Sequence, residues 1–197
     1  MATEHRIIKF YETTLRDGEQ TPGVNYFPEE KLAIAQALAD MGFDTLDCGF
    51  PISSPGEFEA VHMIASKVEN AEICAIARTH FADIDRAWEA VKIANRSAIQ
   101  PFVSVSPLHR KVKLGRTREE VLEMARTAVA HARTYTENVD FALEDTTTPF
   151  VCSTVRPPTS RGLTTVRRGS IGLDARTPRK TRPRSLTRGT ASRPPIT

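Results

Sequence analysis

The sequence predicts an α/β fold built on a parallel sheet, either a doubly wound sheet or a (β/α)8 barrel. Short apolar segments begin near residues 7, 45, 72, 98 and 139, and each of the first four is followed by a segment with the apolar spacing of a helix. Forty per cent of the residues are hydrophobic, which is enough to form a globular core. The pattern is therefore four βα units followed by a fifth strand.

The five strands are predicted from runs of apolar and β-branched residues that lie between turn signals. They span Ile7–Tyr11, Thr45–Cys48, Glu72–Ile76, Ala98–Val105 and Val139–Leu143.

The predicted helices are marked by their first turns. Pro28 suits the first turn of a helix that runs to Met41, and Gly42 supplies its stop. Residues 54–57 and residues 117–120 have the spacing of a capping box, Ser or Thr followed three positions later by Glu, and each opens a helix. A further helix lies between these two and is marked by apolar residues at helical spacing, Ile84, Ala87, Trp88 and Val91. Trp88 is expected in the core.

Residues 151–197 differ sharply in composition from residues 1–150. They contain ten Arg, one Lys and a single acid, Asp174, so they carry +10 and leave −7 to the rest of a chain whose net charge is +3. They hold six of the 13 prolines and no aromatic residue. Such a segment buries too little surface to offset its ordering entropy, so we predict an Arg-, Pro- and Thr-rich disordered tail.

Two readings of this tail are open. An Arg-rich arm neutralises phosphates, which would give a nucleic-acid-binding protein that uses the preceding domain as a scaffold. Alternatively, a barrel gene of high G+C content, read out of frame, yields a sequence of this composition. We favour the second reading, with only nonspecific nucleic-acid binding, because the tail lacks aromatic side chains for base stacking.

The cysteines and the hydropathy pattern predict a cytoplasmic protein without a membrane span. Cys48, Cys74 and Cys152 form neither a CxxC pair nor a disulfide framework. Residues 1–6 lack the apolar region of a signal peptide, and no run reaches the roughly 18–20 apolar residues of a membrane helix. Cys48 is expected to be a small buried residue rather than a nucleophile.

Polar residues cluster just after the carboxyl ends of the predicted strands. In strand order they are Glu12, Thr13, Thr14, Arg16, Asp17, Glu19 and Gln20; Asp47 and Cys48; Arg78, Thr79 and His80; Ser104, Ser106 and His109; and Glu144 and Asp145. In a barrel these ends form one face, where the catalytic residues of that fold lie. Carboxylates bind hard cations and Arg pairs with carboxylates, so the sequence predicts a pocket for a cation and an anionic substrate.

Four segments give this pattern a more specific meaning. They are Thr13-Thr14-Leu15-Arg16-Asp17-Gly18-Glu19-Gln20, Gly49-Phe50-Pro51-Ile52-Ser53-Ser54-Pro55-Gly56, the Ser-Pro-Leu-His run that ends at His109, and Glu144-Asp145. Over about residues 6–148 the chain resembles the N-terminal half of the isopropylmalate and homocitrate synthases. That resemblance implies a (β/α)8 TIM barrel, truncated here after about four and a half βα units, with residues 1–150 as a partial catalytic domain.

The resemblance also implies a function. Such enzymes are acyltransferases that condense acetyl-CoA with a 2-oxo acid, here 2-oxoisovalerate in leucine biosynthesis, with homocitrate or citramalate synthase as the alternatives. By resemblance, Asp17 and two later His of a His-x-His motif hold a divalent metal (Mg, Mn or Zn). Arg16 and Glu144 are the implied catalytic residues. Arg16, His80, Glu144 and Gln20 are the implied contacts of the 2-oxo acid, and the parent enzyme is expected to be a homodimer.

This sequence departs from the family pattern at several positions. Many relatives have Asp where this chain has Glu12, and Glu where it has Asp47. Ala142 replaces a hydroxyl residue of the family. These positions leave the choice of 2-oxo acid open. No His-x-His motif occurs in the sequence, and the last His is His131. We therefore expect this chain by itself to be marginally stable and without synthase activity.

Overall fold

Five parallel strands in chain order form the sheet of this protein, as seen in a computed structural model that describes residues 8–145. The strands are β1 (Tyr11–Glu12), β2 (Thr45–Asp47), β3 (Glu72–Arg78), β4 (Ser97–Ser104) and β5 (Ala142–Glu144). The helices are α1 (Pro28–Asp40), α2 (Pro55–Lys67), α3 (Phe81–Val91), α4 (Pro107–His109) and α5 (Arg118–Ala132), with a 3-10 turn at Gly18–Gln20 and a π-helix at Arg110–Leu114.

The order of the strands decides between the two predicted architectures. The sheet runs β1-β2-β3-β4-β5, and every neighbouring pair is parallel. A doubly wound sheet reverses its strand order at a switch point, whereas barrel strands follow one another. The described residues therefore form the curled half of a (β/α) barrel, which confirms the predicted fold class.

The first strand is shorter than predicted. The predicted span is Ile7–Tyr11, of which Ile7 lies outside the described residues. Among the others, β1 contains Tyr11, together with Glu12, whereas Ile8 and Phe10 are largely exposed. The backbone N–H of Phe10 donates to a side chain, Asp44 Oδ2, at 2.8 Å instead of to a neighbouring strand. An apolar run alone predicts the strand but not which of its residues find ladder partners.

The two predicted capping boxes differ in how completely they form. At α5, Thr117 Oγ1 accepts from Glu120 N and Glu120 Oε2 accepts from Thr117 N, so the predicted capping box is complete. At α2, Ser54 Oγ accepts from Glu57 N, but the Glu57 carboxylate binds elsewhere. That box is only half formed, because a tertiary contact takes its carboxylate.

The core lies between the sheet and the helices that cover it. Leu46, Ile73 and Ile99 on successive strands are fully buried. Trp88 packs against this core but stays half-buried, and its ring stacks on Tyr135 with 5.6 Å between centroids.

The described residues test the predictions for the cysteines and the membrane span only in part. Cys48 and Cys74 are buried free thiols, as the absence of a disulfide framework predicted. No helix in the described part of the chain is long and apolar enough to cross a membrane. Cys152 and the predicted disordered tail, 151–197, lie outside the described residues, together with both readings of that tail.

Candidate active site

The turn after β1 places two charged side chains next to each other. The carbonyl of Thr13 accepts hydrogen bonds from the backbone N–H groups of Arg16 and Asp17, at 3.2 and 2.8 Å. The Glu12 carboxylate fixes the start of the turn, since it accepts from the backbone N–H of Thr14 at 2.8 Å and from the Thr14 hydroxyl at 2.6 Å. Arg16 and Asp17 therefore leave the carboxyl end of β1 side by side.

Arg16 pairs with a carboxylate on each side. Its Nε and Nη2 lie 2.8 and 2.7 Å from Asp47 Oδ2, and its Nη1 lies 2.9 Å from Asp17 Oδ1. A guanidinium carries five N–H donors, so at least two remain for another ligand. Because Asp47 ends β2, the pair also fixes the first loop against the second strand.

Asp47 is a completely buried carboxylate, with a side-chain exposure of 0%. Burial raises its pKa to about 6, although the charge and the hydrogen bond of Arg16 act in the opposite direction. Its second oxygen, Oδ1, has no hydrogen-bond partner among the described residues. For Arg16, burial alone would lower the pKa, but the Asp47 and Asp17 charges outweigh it and raise that pKa. The pair thus keeps a permanent cation beside an acid that titrates near neutral pH.

The predicted metal ligand is present, but a complete ligand set is not. Asp17 is a partly exposed carboxylate, which is the ligand chemistry that Mg²⁺ and Mn²⁺ prefer. Within residues 8–145, no group of three or more His, Cys, Asp or Glu side chains is arranged to hold a metal ion. The described residues therefore do not make a metal site on their own.

A buried lysine that the sequence analysis missed holds the two loops at this end. Lys31 of α1 is 1% exposed, and its Nζ lies 2.8 Å from Glu19 Oε2 and 2.8 Å from Glu57 Oε2. Burial alone would lower the Lys31 pKa, but the hydrogen bonds to both carboxylates outweigh it and raise that pKa. Glu57 Oε1 also accepts from the backbone N–H of Phe50 at 3.0 Å. Lys31 thereby links the loop that carries Arg16 to the loop that follows β2.

Gly49 shows how closely Glu57 approaches the second loop. Its φ is +146°, and a Cβ built on it would lie 2.0 Å from Glu57 Oε1. A side chain at this position would be strained by the positive φ and would displace the Glu57 carboxylate.

A second polar cluster lies at the ends of β4 and β5. Ser104 donates to Glu144 Oε2, and Lys113 Nζ lies 2.8 Å from the same oxygen and 3.0 Å from Ser104 Oγ. Burial alone would raise the Glu144 pKa, but hydrogen bonds from Lys113 and Ser104 and the charge of Lys113 outweigh it and lower that pKa. Glu144 is therefore an ionised acceptor at neutral pH.

Other predicted site residues take no part in the hydrogen bonds of these two clusters. His80 is an exposed residue that precedes α3, and Gln20 is an exposed residue that ends the 3-10 turn. Neither makes a side-chain hydrogen bond within the described residues. His109 Nδ1 lies 3.7 Å from Asp145 Oδ2, beyond hydrogen-bond distance. Asp145 has a φ of 59°, a left-handed conformation that Asp tolerates better than most residues.

The buried thiols do not contribute a nucleophile. Cys48 is fully buried, and burial raises the pKa of its thiol, as it does for Cys74. Cys74 Sγ instead accepts a hydrogen bond from the Tyr11 hydroxyl at 3.4 Å. The expectation that Cys48 is a small buried residue is confirmed.

Residues 7–167 match the HMGL-like family, well over half of the chain. The chain belongs to the HMGL-like family. The resemblance to isopropylmalate and homocitrate synthases predicted from the Arg16-Asp17-Gly18 motif and its neighbours is confirmed at this level.

Named relatives of this HMGL-like chain are 2-isopropylmalate synthases. The enzyme of Dictyoglomus turgidum is 53% identical over 138 residues, which cover 70% of this chain and 27% of the relative. That of Halothermothrix orenii is 51% identical over 138 residues, again 70% and 27%. That of Syntrophus aciditrophicus is 44% identical over 169 residues, 84% of this chain and 33% of the relative. The chain thus spans about a third or less of the relatives that it matches.

Solved structures support the fold of the HMGL-like chain. The HMG-CoA lyase of Bacillus subtilis superposes with a TM-score of 0.55 at 17% identity, over 69% of this chain and 46% of that chain. The HMG-CoA lyase of Acinetobacter baumannii, solved with coenzyme A and 3-methylmalate, gives 0.52 at 17%, over 70% and 45%. At these identities the likeness extends to the fold alone.

Proposed function

We propose that this chain supplies the first five strands of the catalytic barrel of a 2-isopropylmalate synthase-like acyltransferase. The reaction condenses acetyl-CoA with a 2-oxo acid, for which 2-oxoisovalerate is the expected acceptor in leucine biosynthesis. The observation that carries the proposal is the partly exposed Arg16, held between Asp17 and Asp47 at the carboxyl end of the sheet. The names of the relatives that share this part of the chain support it.

Arg16 is suited to the charge that develops in such a condensation. A base removes a proton from the methyl group of acetyl-CoA, that carbon forms a bond with the ketone carbon, and the ketone oxygen gains negative charge. The oxygen is then protonated, and hydrolysis of the thioester by water releases CoA. The remaining N–H groups of Arg16 can donate to that oxygen or to the substrate carboxylate. Asp47 holds the guanidinium through Nε and Nη2, so its orientation is set before a substrate binds.

The other predicted roles stay proposals. Glu144 is ionised and partly exposed, so this proposed catalytic residue can accept a hydrogen bond from the substrate. His80 and Gln20 lie on loops that follow β3 and β1, where they could contact the 2-oxo acid. Asp17 is proposed as one ligand of a divalent metal whose other ligands lie outside the described residues. The homodimer is proposed on the same resemblance, and the cytoplasmic location is proposed on the cysteine usage of the sequence.

We expect the 197-residue chain by itself to show no condensation. Among the described residues, β1 and β5 are each paired on one side only, and Asp17 is the single ligand predicted from the motif. A free-thiol assay with acetyl-CoA and 2-oxoisovalerate checks this expectation, and release of CoA by purified 1–197 would contradict it.

A chimera tests the proposed function directly. We would exchange the matching 138 residues of the Dictyoglomus turgidum synthase for the corresponding segment of this chain. The expected result is CoA release with 2-oxoisovalerate, and a fall in kcat/KM of about 10²–10³-fold for Arg16→Lys, since removing one donor to a developing oxyanion has effects of this size. Arg86→Lys, at a partly exposed arginine on α3 that belongs to neither polar cluster, is the control and should leave the rate unchanged.

The same chimera separates the alternatives within the enzyme class. Pyruvate and 2-oxoglutarate are offered beside 2-oxoisovalerate, and the largest kcat/KM identifies the acceptor. Preference for pyruvate would mean citramalate synthase, and preference for 2-oxoglutarate would mean homocitrate synthase. A folded chimera that releases no CoA with any of the three would refute the proposal.

A further inference from the structure

The turn after β1 and the segment 47–57, which leads from β2 into α2, are joined at two separate points. The first junction is the pair of Arg16, in that turn, with Asp47, at the end of β2. The second junction is Lys31, whose Nζ lies 2.8 Å from Glu19 Oε2 and 2.8 Å from Glu57 Oε2. The proposed function uses the first junction and gives the second no part in the reaction.

Each carboxylate that Lys31 binds is also fixed to the backbone of its own loop. Glu19 Oε1 accepts from the backbone N–H of Tyr26 at 3.2 Å. Glu57 Oε1 accepts from the backbone N–H of Phe50 at 3.0 Å. The lysine ammonium therefore connects the backbone of one loop to the backbone of the other through two carboxylates.

Few residues separate the two junctions along the chain. Glu19 follows Arg16 by three residues, and the backbone N–H of Glu19 donates to the Thr14 carbonyl at 3.1 Å within the same hydrogen-bonded turn. Phe50 likewise follows Asp47 by three residues. Closely packed segments transmit a displacement rather than absorb it. A change at the second junction is therefore expected to reach the first junction from both sides.

Burial limits the second junction to one favourable arrangement. Lys31 is 1% exposed, and the side chains of Glu19 and Glu57 are 20% and 18% exposed. Both carboxylates depend on the shared ammonium, since a largely buried charge that loses its partner is strongly destabilised. The arrangement of these three side chains thus sets the separation of the two loops.

We propose that Lys31 is a positioning residue for the condensation, because by holding Glu19 and Glu57 it fixes the separation of the two loops and with it the place of the Arg16 guanidinium. Since Lys31 is almost completely buried, it acts through Arg16 and not on the substrate. Its role in the reaction rests on the proposed function, whereas the coupling of the two loops rests on the contacts of the second junction.

Kinetics of the chimera with the Dictyoglomus turgidum synthase test whether Lys31 acts through Arg16. Lys31→Met should lower kcat/KM by about 10–10²-fold, since a misplacement of about 1 Å caused far from the chemistry can have an effect of this size. Added to Arg16→Lys, the same change should lower kcat/KM by less than about threefold, because two substitutions that remove one interaction are not additive.

The control for a general loss of stability is Ile99→Ala, at a fully buried core residue near the amino end of β4. It should destabilise the fold about as much as Lys31→Met. Its kcat/KM, corrected for the folded fraction measured by circular dichroism, should stay within about twofold of the unaltered chimera. Glu19→Gln is a milder variant of the second junction, because it leaves Lys31 paired with Glu57, and it should lower kcat/KM at least about fivefold.

Hydrogen exchange of the full 197-residue chain, followed by NMR, tests the coupling of the loops without turnover. Glu19→Gln should accelerate exchange of the Phe50 backbone amide at least about threefold, because the effect passes from one loop to the other through Lys31. Glu59→Gln, at an exposed carboxylate in α2, is the matched control and should leave that amide unchanged.

Three results would overturn the inference: a full multiplication of the two losses when Lys31→Met is added to Arg16→Lys, a kcat/KM in Lys31→Met equal to that in Ile99→Ala, or an unchanged exchange rate of the Phe50 amide in Glu19→Gln. Exchange needs no substrate. An inactive chimera together with accelerated exchange in Glu19→Gln would therefore refute the proposed function alone, and an active chimera in which Lys31→Met matches Ile99→Ala would refute the positioning role alone.

Discussion

Two carboxylates at the carboxyl ends of the strands, Asp47 of β2 and Glu144 of β5, are held in opposite ways. Asp47, beside Arg16, is fully buried and its pKa is raised to about 6, whereas Glu144, beside Lys113, is 39% exposed and its pKa is lowered. Each acid has a basic partner at 2.7–2.8 Å. The comparison shows that a close cation does not by itself set the direction of a pKa shift, because loss of water outweighs it at Asp47.

The largest expected loss of stability comes from a substitution at Gly49, two residues after the buried Asp47. Gly49→Ala should lower the free energy of unfolding by about 4 kcal/mol, because it forces a side chain into a left-handed backbone and into the Glu57 carboxylate. Urea denaturation measures the change. Gly56→Ala is the matched control: it lies in α2 with open space around the new Cβ, and should stabilise by about 0.5 kcal/mol. Equal costs at the two glycines would contradict the close approach at Gly49.

Lys31 should be the next most costly position. Lys31→Met should destabilise by about 3 kcal/mol, since it leaves two largely buried carboxylates, Glu19 and Glu57, without their shared cation. The exposed Lys67→Met, at the end of α2, should change the free energy of unfolding by less than about 0.5 kcal/mol. A loss below 1 kcal/mol at Lys31 would mean that water replaces the lysine.

The pH dependence of stability should have opposite signs at the two carboxylates. Between its ordinary pKa of 3.8 and a folded pKa of about 6, Asp47 holds a proton only in the folded state. The stability of the unaltered chain relative to Asp47→Asn should therefore fall by about 2–3 kcal/mol between pH 4 and pH 7. Because the folded pKa of Glu144 is lowered, its contribution is present above its ordinary pKa of 4.5 and is lost as the pH falls through the folded pKa.

Denaturation at a series of pH values, with Asp47→Asn and Glu144→Gln beside the unaltered chain, measures both slopes. Slopes of the same sign would remove the distinction between the two carboxylates.

The smallest effect is expected for the exposed pair itself. A double-mutant cycle with Lys113→Ala and Glu144→Gln should give a coupling energy below about 1 kcal/mol at pH 7, because both side chains are at least 39% exposed. A coupling above 2 kcal/mol would show that this pair behaves as a buried one.

Local patterns predicted the architecture well, and the reason is visible in particular elements. The alternation of apolar runs gave all five strands, and the Thr117 box opens α5 as its spacing indicated. The Arg16-Asp17-Gly18 motif predicted the family. These features are encoded by neighbours in the sequence, which periodicity and motifs can detect.

Contacts between residues that are far apart in the chain could not be predicted from the sequence. Lys31 meets Glu57 across 26 positions and Lys113 meets Glu144 across 31, and no local spacing marks either pair. The π-helix at Arg110–Leu114 was also missed. The half-formed capping box at Ser54 has the same cause. The local spacing assigned the Glu57 carboxylate to the cap, but that carboxylate binds Lys31 instead.

The sequential order of the strands has a consequence for how the chain acquires its structure. Within residues 8–145, each strand pairs with the strands before and after it in the chain, and β3 and β4 share the longest register, six residue pairs. Contacts between near neighbours in sequence close small loops and form quickly. The β3–α3–β4 unit is thus the expected nucleus, from which the sheet grows outward in both directions, and the earlier βα units can dock while the ribosome is still adding the later ones.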